Sequence, residues 1–293
     1  MDILITGANG MLGEKCFEVL SERYSVIVTD LSDRCVYSDR ATYAKLDITI
    51  EDDVIGFVRE LRPDAVVNCA AYTDVDGAEK FKDIAWNVNV KGVENLVRAV
   101  EPLGSHLIHI STDYVFDGDG GPYKEGDPPN PVNYYGFTKL KSEELLRRSE
   151  IPHTIVRTNV LFGQTHYQQA SFVHWVVSQV SSRKVIHVVN DQFGNPTWVD
   201  GLAEAIARIL ERKAYGLYHY GGKDYINRFA FALEIVAVFG LDPKFVRPTT
   251  TRALGQVAKR PYRGGLVVDK IKKELGVRIY SVREALQAMK EGQ

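Results

Sequence analysis

The chain has 293 residues, of which 45% are hydrophobic, and its formal net charge is −2. This length is enough for a full core and predicts one large domain with a smaller partner. The near-neutral charge and scattered basic residues argue against nucleic acid as a partner. No apolar run is long enough to cross a bilayer, and the chain begins with a strand-like segment rather than a cleavable signal, so we expect a cytoplasmic protein without membrane contact.

Three cysteines, Cys16, Cys35 and Cys69, are odd in number and far apart in the sequence. They belong to no Cys-x-x-Cys motif or histidine cluster of the kind that holds a metal. We therefore expect buried, reduced thiols and no metal site.

The N-terminal segment predicts a strand, a glycine-rich turn and a helix. An apolar run over residues 3–6 precedes the turn over residues 7–13, and apolar residues then recur at helical spacing. Such a turn brings the backbone close to a pyrophosphate, which the unpaired N–H groups and positive dipole of the helix N-terminus stabilise. This pattern predicts dinucleotide binding.

The next two strands carry acidic residues at their ends. The strand over residues 25–29 leads into Asp30, where a ribose 2′-hydroxyl would be held and a 2′-phosphate repelled, which favours NAD. Arg34 could instead pair with a phosphate, so the sequence leaves the cofactor preference open. Asp47 follows the strand over residues 43–46, and it either caps the adenine amino group or N-caps the helix over residues 51–61.

A fourth strand over residues 65–69 is followed by small side chains. Ala70 and Ala71 leave room for the cofactor or for close helix packing, and Thr73 would reach toward ribose or substrate. The helix predicted over residues 77–100 holds Asn87 and Asn89. We expect one of these asparagines to bridge neighbouring loops, because a buried amide needs partners.

The stretch over residues 106–143 is predicted to carry the chemistry. A buried strand over residues 106–110 ends at Ser111 and Thr112, a loop rich in glycine and proline follows, and a helix resumes near residue 134. Tyr135 and Lys139 lie four residues apart on one face of that helix. We expect the ammonium to lie beside the phenol and to lower its pKa from about 10, which would make Tyr135 a general acid or base.

Strands and helices alternate up to a sixth strand over residues 153–157. This alternation predicts an α/β fold with a doubly wound, Rossmann-like parallel sheet that binds ligands at its carboxyl edge. The later pattern, with a helix over residues 166–182 and a strand over 185–189, predicts a smaller C-terminal α+β lobe that binds substrate. We place the dinucleotide-binding domain at residues 1–163 with returning segments at about 198–221, and the lobe at about 164–197 and 222–293.

With these residues in view, the chain resembles the extended short-chain dehydrogenase/reductases, and most closely the dTDP-4-dehydrorhamnose reductase family. The resemblance runs from residue 1 to about residue 288. Its motifs are the glycine-rich turn and the segments over residues 68–76, 111–118, 135–139 and 191–197.

The resemblance implies reduction of the C4 keto group of dTDP-4-dehydro-6-deoxy-L-mannose by NADPH or NADH. Tyr135 would be the general acid, Lys139 would bind the nicotinamide ribose, and Thr112 would orient the carbonyl. The implied cofactor-binding residues are Gly7, Asn9, Gly10, Met11, Leu12, Asp30, Leu31, Asp47, Ile48, Cys69, Ala70, Ala71, Thr73, Asn89, Tyr135 and Lys139. The implied substrate residues are Val75, Thr112, Asp113, Tyr114, Asn159 and Gln192.

Two departures from the family pattern bear on function. Val160 stands where such reductases often have a tryptophan that lines the sugar pocket, and the first helix lacks the acidic residue that some relatives use for magnesium at a dimer interface. We expect no metal, and the sequence leaves the oligomeric state open, with a homodimer as one alternative. The alternatives are a reductase or epimerase of another nucleotide sugar, and a non-catalytic regulatory beta subunit of methionine adenosyltransferase, which shares the fold and several motifs.

Overall fold

A computed structural model describes residues 1–37, 41–166 and 171–292. Part of the helix predicted over residues 166–182 therefore lies outside the described residues, at 167–170. Among the described residues, no helix is both long and apolar enough to span a membrane.

The first half of the chain alternates strands and helices as predicted. Its elements are β1 Asp2–Thr6, α1 Met11–Ser21, β2 Ser25–Asp30, β3 Thr42–Lys45, α2 Glu51–Leu61, β4 Ala65–Asn68, α3 Val75–Lys80, α4 Lys82–Trp86, a π-helical turn Asn87–Lys91, α5 Gly92–Val100, β5 His106–Thr112, α6 Tyr134–Arg148 and β6 His153–Thr158.

Shorter elements dominate the second half. They are β7 Leu161–Phe162, α7 Phe172–Ser181, β8 Ile186–Val189, β9 Phe193–Gly194, β10 Thr197–Trp198, α8 Val199–Arg212, β11 Gly216–Tyr220, β12 Ile226–Asn227, α9 Arg228–Phe239, β13 Val246–Thr249, α10 Thr251–Leu254, α11 Asp269–Leu275 and α12 Val282–Glu291.

Seven parallel strands form the central sheet in the order β11-β6-β5-β4-β1-β2-β3. Helices α1, α8 and α11 bury their apolar side chains against one face, and α2 and α5 bury theirs against the other. The doubly wound parallel sheet expected from the alternation is thus confirmed, because only helices on both faces cover strands that are apolar on both sides.

The helix predicted over residues 77–100 is not continuous. Asp74 caps the N-terminus of α3, Phe81 leaves helical geometry at φ −117°, and the π-helical turn interrupts the rest. A π-turn adds a residue to one helical turn and often marks a functional site. Here it carries the buried Asn89.

The C-terminal lobe has a core of its own, in which α7, α9 and α12 pack around β8. β8 pairs in parallel with β13, a strand that sequence analysis did not predict. Pro248 and the polar residues of β13 conceal its strand character, and its partner lies far away in the chain. In contrast to the predicted domain division, Ile271 and Leu275 of α11 pack in the core beside the main sheet.

A buried ion pair connects α6 to β6. Arg157 donates from Nε and Nη2 to the two carboxylate oxygens of Glu143 at 2.8 and 2.6 Å, and both side chains are at most 1% exposed. Ser111 and Arg147 donate to the same carboxylate at 2.6 and 2.8 Å. Breaking a buried pair leaves an uncompensated charge in the interior.

We expect Glu143→Ala to lower the free energy of unfolding by about 3–5 kcal/mol, because Arg157 would lose its counter-charge. Urea denaturation measures the change. The matched control is Glu144→Ala, since the next residue on α6 pairs with a partly exposed Lys141 at 2.8 Å and should cost less than about 1 kcal/mol. Equal losses in the two variants would contradict this account of the pair.

Candidate active site

The predicted site residues gather at the carboxyl edge of the sheet. Gly7, Ala70 and Asn159 directly or closely follow β1, β4 and β6, and Thr112 ends β5. Parallel strands deliver their carboxyl ends to one edge, so residues distant in the chain meet there. Helix α6 brings Tyr135 and Lys139 to the same place.

The glycine-rich turn lies against the loop after β4. Gly7 has φ +68°, and a Cβ atom at this position would lie 2.5 Å from the backbone nitrogen of Ala70. Gly10 caps α1, and its N–H donates to the Gly7 carbonyl at 3.1 Å. Met11 and Leu12 form the buried first turn of the helix. The close backbone approach and the free helix N-terminus fit a dinucleotide pyrophosphate.

Asn9 ties this turn to the loop after β2. Its backbone N–H donates to Asp30 Oδ2 at 3.0 Å, its side-chain amide donates to the Arg34 carbonyl at 3.1 Å, and its Oδ1 accepts from the Val36 N–H at 3.1 Å. The Leu31 N–H donates to Asp30 Oδ1 at 2.7 Å. These bonds hold the Asp30 carboxylate at the sheet edge, while Leu31 is 58% exposed.

One of the two interpretations of Asp47 is wrong. Ile50, not Asp47, is the N-cap of α2, and Asp47 Oδ1 instead accepts from the backbone and hydroxyl of Thr49, both at 2.8 Å. Contact with adenine stays a prediction for Asp47. The side chain of Ile48 is buried and packs closely against Gly92. The backbone of Ile48 is therefore the part of this residue that we expect to face a ligand.

Asn89 bridges loops as expected for one of the two asparagines. Its Oδ1 accepts from the Tyr72 N–H at 2.8 Å, and its Nδ2 donates to the Tyr72 carbonyl at 3.1 Å and to Thr138 Oγ1 at 3.0 Å. Asn87 is exposed. Asn89 therefore connects the loop after β4, which carries the half-buried Ala71 and the exposed Thr73, to α6.

The cysteines are closer together than their positions in the sequence suggest. All three are free thiols; Cys16 is buried, whereas Cys35 and Cys69 are half-buried rather than buried as expected. The Cys16 thiol hydrogen-bonds that of Cys69, and burial raises the pKa of Cys16. Among the described residues, no group of three His, Cys, Asp or Glu side chains is placed to hold a metal.

Thr112 and Tyr135 meet where β5 ends. The strand extends to Thr112, whose hydroxyl accepts from the Tyr114 N–H at 3.2 Å and lies beside the Tyr135 phenol. Asn133 caps α6 by accepting from the Gly136 N–H at 2.8 Å. Because Gly136 has no side chain, α6 packs closely against the Tyr114 carbonyl; a Cβ atom at this position would clash with the carbonyl oxygen.

Lys139 does not lower the pKa of Tyr135 as expected. Burial raises the pKa of Tyr135, and the opposing effect comes from the neighbouring Thr112 hydroxyl. Lys139 Nζ instead lies 3.2 Å from His109 Nε2. Because the ammonium is buried, the pKa of Lys139 is lowered to about 8, although the nearby Glu143 acts in the opposite direction.

Four predicted substrate residues line one cleft: Asp113, Tyr114, Asn159 and Gln192. Val160 and Arg228 line it as well, whereas Val75 and Thr112 do not. Asp113 is held by the Gly265 N–H at 3.1 Å and by the Asn159 amide, and burial raises its pKa to about 6.

Sequence analysis missed Arg228 and His109. Arg228 is the first residue of α9. Its guanidinium lies 5.4 Å from the centre of the Phe172 ring, and its charge opposes the rise that burial causes in the pKa of Tyr114. Its place in the cleft was not predictable from the sequence, because the lobe and the sheet edge that form the cleft are distant in the chain. The sequence did contain a signal for His109, because this residue lies between Ile108 and Ile110, two residues before Ser111, and therefore shares the face of Ser111.

The fold and this site define an NAD(P)-dependent oxidoreductase of the extended short-chain dehydrogenase/reductase type. The chain matches the RmlD substrate binding domain family over residues 1–292 and belongs to that family.

Three similar proteins illustrate the range of the family. A dTDP-4-dehydrorhamnose reductase from Aggregatibacter actinomycetemcomitans is 34% identical, with 97% of each chain covered. A crystal structure of dTDP-4-dehydrorhamnose reductase from Bacillus anthracis, in complex with NADP, has a TM-score of 0.89 at 32% identity and covers 100% of this chain and 99% of that chain. The methionine adenosyltransferase 2 subunit beta from Xenopus laevis is 30% identical, over 92% of this chain and 81% of the relative.

We expect Gly7→Ala to weaken NADPH and NADH binding by about tenfold or more, because a side chain in left-handed geometry costs about 1–2 kcal/mol and its Cβ would also collide with Ala70. Isothermal titration calorimetry measures the affinity. Gly56→Ala is the matched control, since a Cβ there meets nothing within 4 Å and helix α2 should gain up to about 1 kcal/mol. Wild-type affinity in Gly7→Ala would refute the assignment of the turn.

We expect Asp30→Ser to shift the preference toward NADPH by about tenfold, or about 1.4 kcal/mol, because the carboxylate repels a 2′-phosphate and accepts from a 2′-hydroxyl. The ratio of the two dissociation constants is the measurement. Asp33→Ser is the control, because Asp33 lies in the loop after β2, the strand that ends at Asp30, and its exposed carboxylate pairs with Lys45 of β3 at 2.7 Å. An unchanged ratio in Asp30→Ser would mean that another group, such as Arg34, determines the cofactor preference.

Proposed function

We propose that this protein reduces the C4 keto group of dTDP-4-dehydro-6-deoxy-L-mannose to give dTDP-L-rhamnose, with NADPH or NADH as the reductant. The observation that carries the proposal is the Tyr135 phenol beside the Thr112 hydroxyl, with Lys139 one turn later on the same helix. The names of the reductase relatives support the choice of substrate. A cytoplasmic location stays a prediction from the sequence, with a homodimer as one alternative for the oligomeric state.

The bound nicotinamide would supply a hydride to C4 of the sugar. The phenol of Tyr135 donates a proton to the C4 oxygen as that oxygen gains the electron pair of the carbonyl. The hydroxyl of Thr112 hydrogen-bonds the same oxygen and opposes the build-up of negative charge. Lys139 holds the nicotinamide ribose.

The raised pKa of Tyr135 suits this direction of reaction. Burial keeps the phenol protonated at neutral pH, so the proton that the C4 oxygen requires is present before hydride transfer begins. A general acid must carry its proton when the substrate arrives. Before the sugar binds, the neighbouring Thr112 hydroxyl opposes this effect of burial on the pKa.

A reductase or epimerase of another nucleotide sugar is the second candidate. Val160 favours it, because this small side chain lines the cleft where reductases of this kind often carry a tryptophan. A wider cleft would admit a sugar with a bulkier substituent.

One assay separates these candidates from the regulatory subunit. Purified protein is mixed with NADPH or NADH and with substrate generated in situ from dTDP-glucose, and absorbance at the reduced-nicotinamide band is followed. We expect the absorbance to fall as dTDP-rhamnose appears. Cofactor binding without reduction of any nucleotide sugar, together with co-elution with a methionine adenosyltransferase, would support the regulatory subunit instead.

We expect Tyr135→Phe to retain cofactor affinity but to lose about 10²-fold or more in kcat, because it removes the general acid. Tyr134→Phe is the matched control; its ring faces Lys82 at 5.2 Å, and this contact survives loss of the hydroxyl. Near-normal turnover in Tyr135→Phe would end its assignment as the acid.

A further inference from the structure

A row of buried polar side chains crosses three neighbouring strands beneath the site. Thr6, Asn68 and His109 are register partners on β1, β4 and β5, and each is at most 1% exposed. Partners in adjacent parallel strands place their side chains on the same face of the sheet. The row ends at Lys139, whose Nζ lies 3.2 Å from His109 Nε2.

The orientation of the Asn68 amide is determined by its neighbours. The backbone N–H of Ala70 lies 3.2 Å from Asn68 Oδ1 and can only donate. If the amide were rotated by 180°, its own N–H would face that donor. Thr6 is compatible with the observed orientation, because its hydroxyl donates to the same oxygen at 2.7 Å. Asn68 Nδ2 therefore faces His109 Nδ1, at 3.1 Å.

This amide determines the tautomer of His109. Because Asn68 Nδ2 donates, Nδ1 must accept, and the proton of the neutral ring lies on Nε2. The single proton on Nε2 then faces two neighbours, Ser142 Oγ at 2.9 Å and Lys139 Nζ at 3.2 Å. The Ser142 hydroxyl donates to the Lys139 carbonyl at 2.7 Å and is therefore not a donor to Nε2. Burial, and secondarily the charge of Lys139, lower the pKa of His109, so the ring stays neutral.

The tautomer places a proton opposite Lys139. An ammonium group has donors only, so a charged Lys139 cannot accept from the Nε2–H of His109, whereas a neutral amine can. We propose that Asn68 and His109 are positioning residues for Lys139: by holding the ring as its Nε2–H tautomer, they disfavour the ammonium form of the lysine. The consequence for turnover rests on the proposed function, in which Lys139 holds the nicotinamide ribose; the ammonium, with three donors, is the form that suits this role.

The other groups around Lys139 determine the direction of the pH effect. On α6, the carboxylate of Glu143 favours the ammonium, as does Cys69 after β4, while Tyr135 lies one turn before the lysine. Burial outweighs them and lowers the pKa of Lys139 to about 8. Because the pKa is lowered, the ammonium is retained below about pH 8 and lost above it. Activity should therefore fall along an alkaline limb.

Asn68→Asp tests the proposal with a nearly isosteric side chain. The carboxylate still accepts from the Ala70 N–H but also accepts a proton from His109 Nδ1, so Nε2 becomes an acceptor for the Lys139 ammonium. We expect the wild-type ring to carry its proton on Nε2 and the variant ring on Nδ1, as read from ¹⁵N shifts of labelled histidine. We also expect the Lys139 titration, followed by lysine side-chain NMR, and the alkaline limb of kcat to move up by about one pH unit.

His106→Gln is the matched control, because this second buried histidine of β5 pairs with Thr154 at 2.7 Å, away from Lys139. The alkaline limb should not move in that variant. A wild-type ring protonated on Nδ1 would overturn the proposal without any variant, and so would an Asn68→Asp titration that coincides with wild type. The NMR readouts need no sugar, so a lack of turnover with the expected titrations would count against the proposed function alone.

Discussion

The register of β1, β4 and β5 is the constraint on which the site depends. It aligns Thr6, Asn68 and His109 in one row and so places the residues that follow these strands, including Gly7 and Ala70, side by side at the sheet edge. A shift of one residue in any of the three strands would turn its side chains to the opposite face. The contact between Gly7 and Ala70 leaves no room for such a shift, because their backbones already touch.

Helix α6 contributes two buried charged side chains to the site. It places Lys139 and Glu143 in the interior one turn apart, and burying either charge alone would be expensive. The carboxylate of Glu143 is paired with Arg157 from β6, which compensates its burial. The same carboxylate also favours the ammonium form of Lys139. The same ion pair therefore stabilises the fold and contributes to the charge state of the candidate site.

Local patterns in the sequence were sufficient to predict the sheet, the glycine-rich turn and the positions of Tyr135 and Lys139, because strand and helix periods are properties of neighbouring residues. The contacts of those side chains were not predictable. Tyr135 and Lys139 do lie on one helix, yet the lysine reaches His109, thirty residues earlier on β5. The pairing of β8 with β13 and the return of α11 to the main sheet were missed for the same reason, since both depend on partners distant in the chain.

In the proposed function, the chemistry and the choice of substrate depend on different parts of the molecule. Thr112, Tyr135 and Lys139 belong to β5 and α6, whose positions are determined by the sheet. The cleft is completed by Arg228 and Gln192 from the lobe, opposite Val160 after β6. A substitution in the lobe can therefore alter which sugar fits without moving the proton donor. Val160 and Arg228 consequently bear on the identity of the substrate and leave the proposed reaction, a hydride and proton addition to a carbonyl, unaffected.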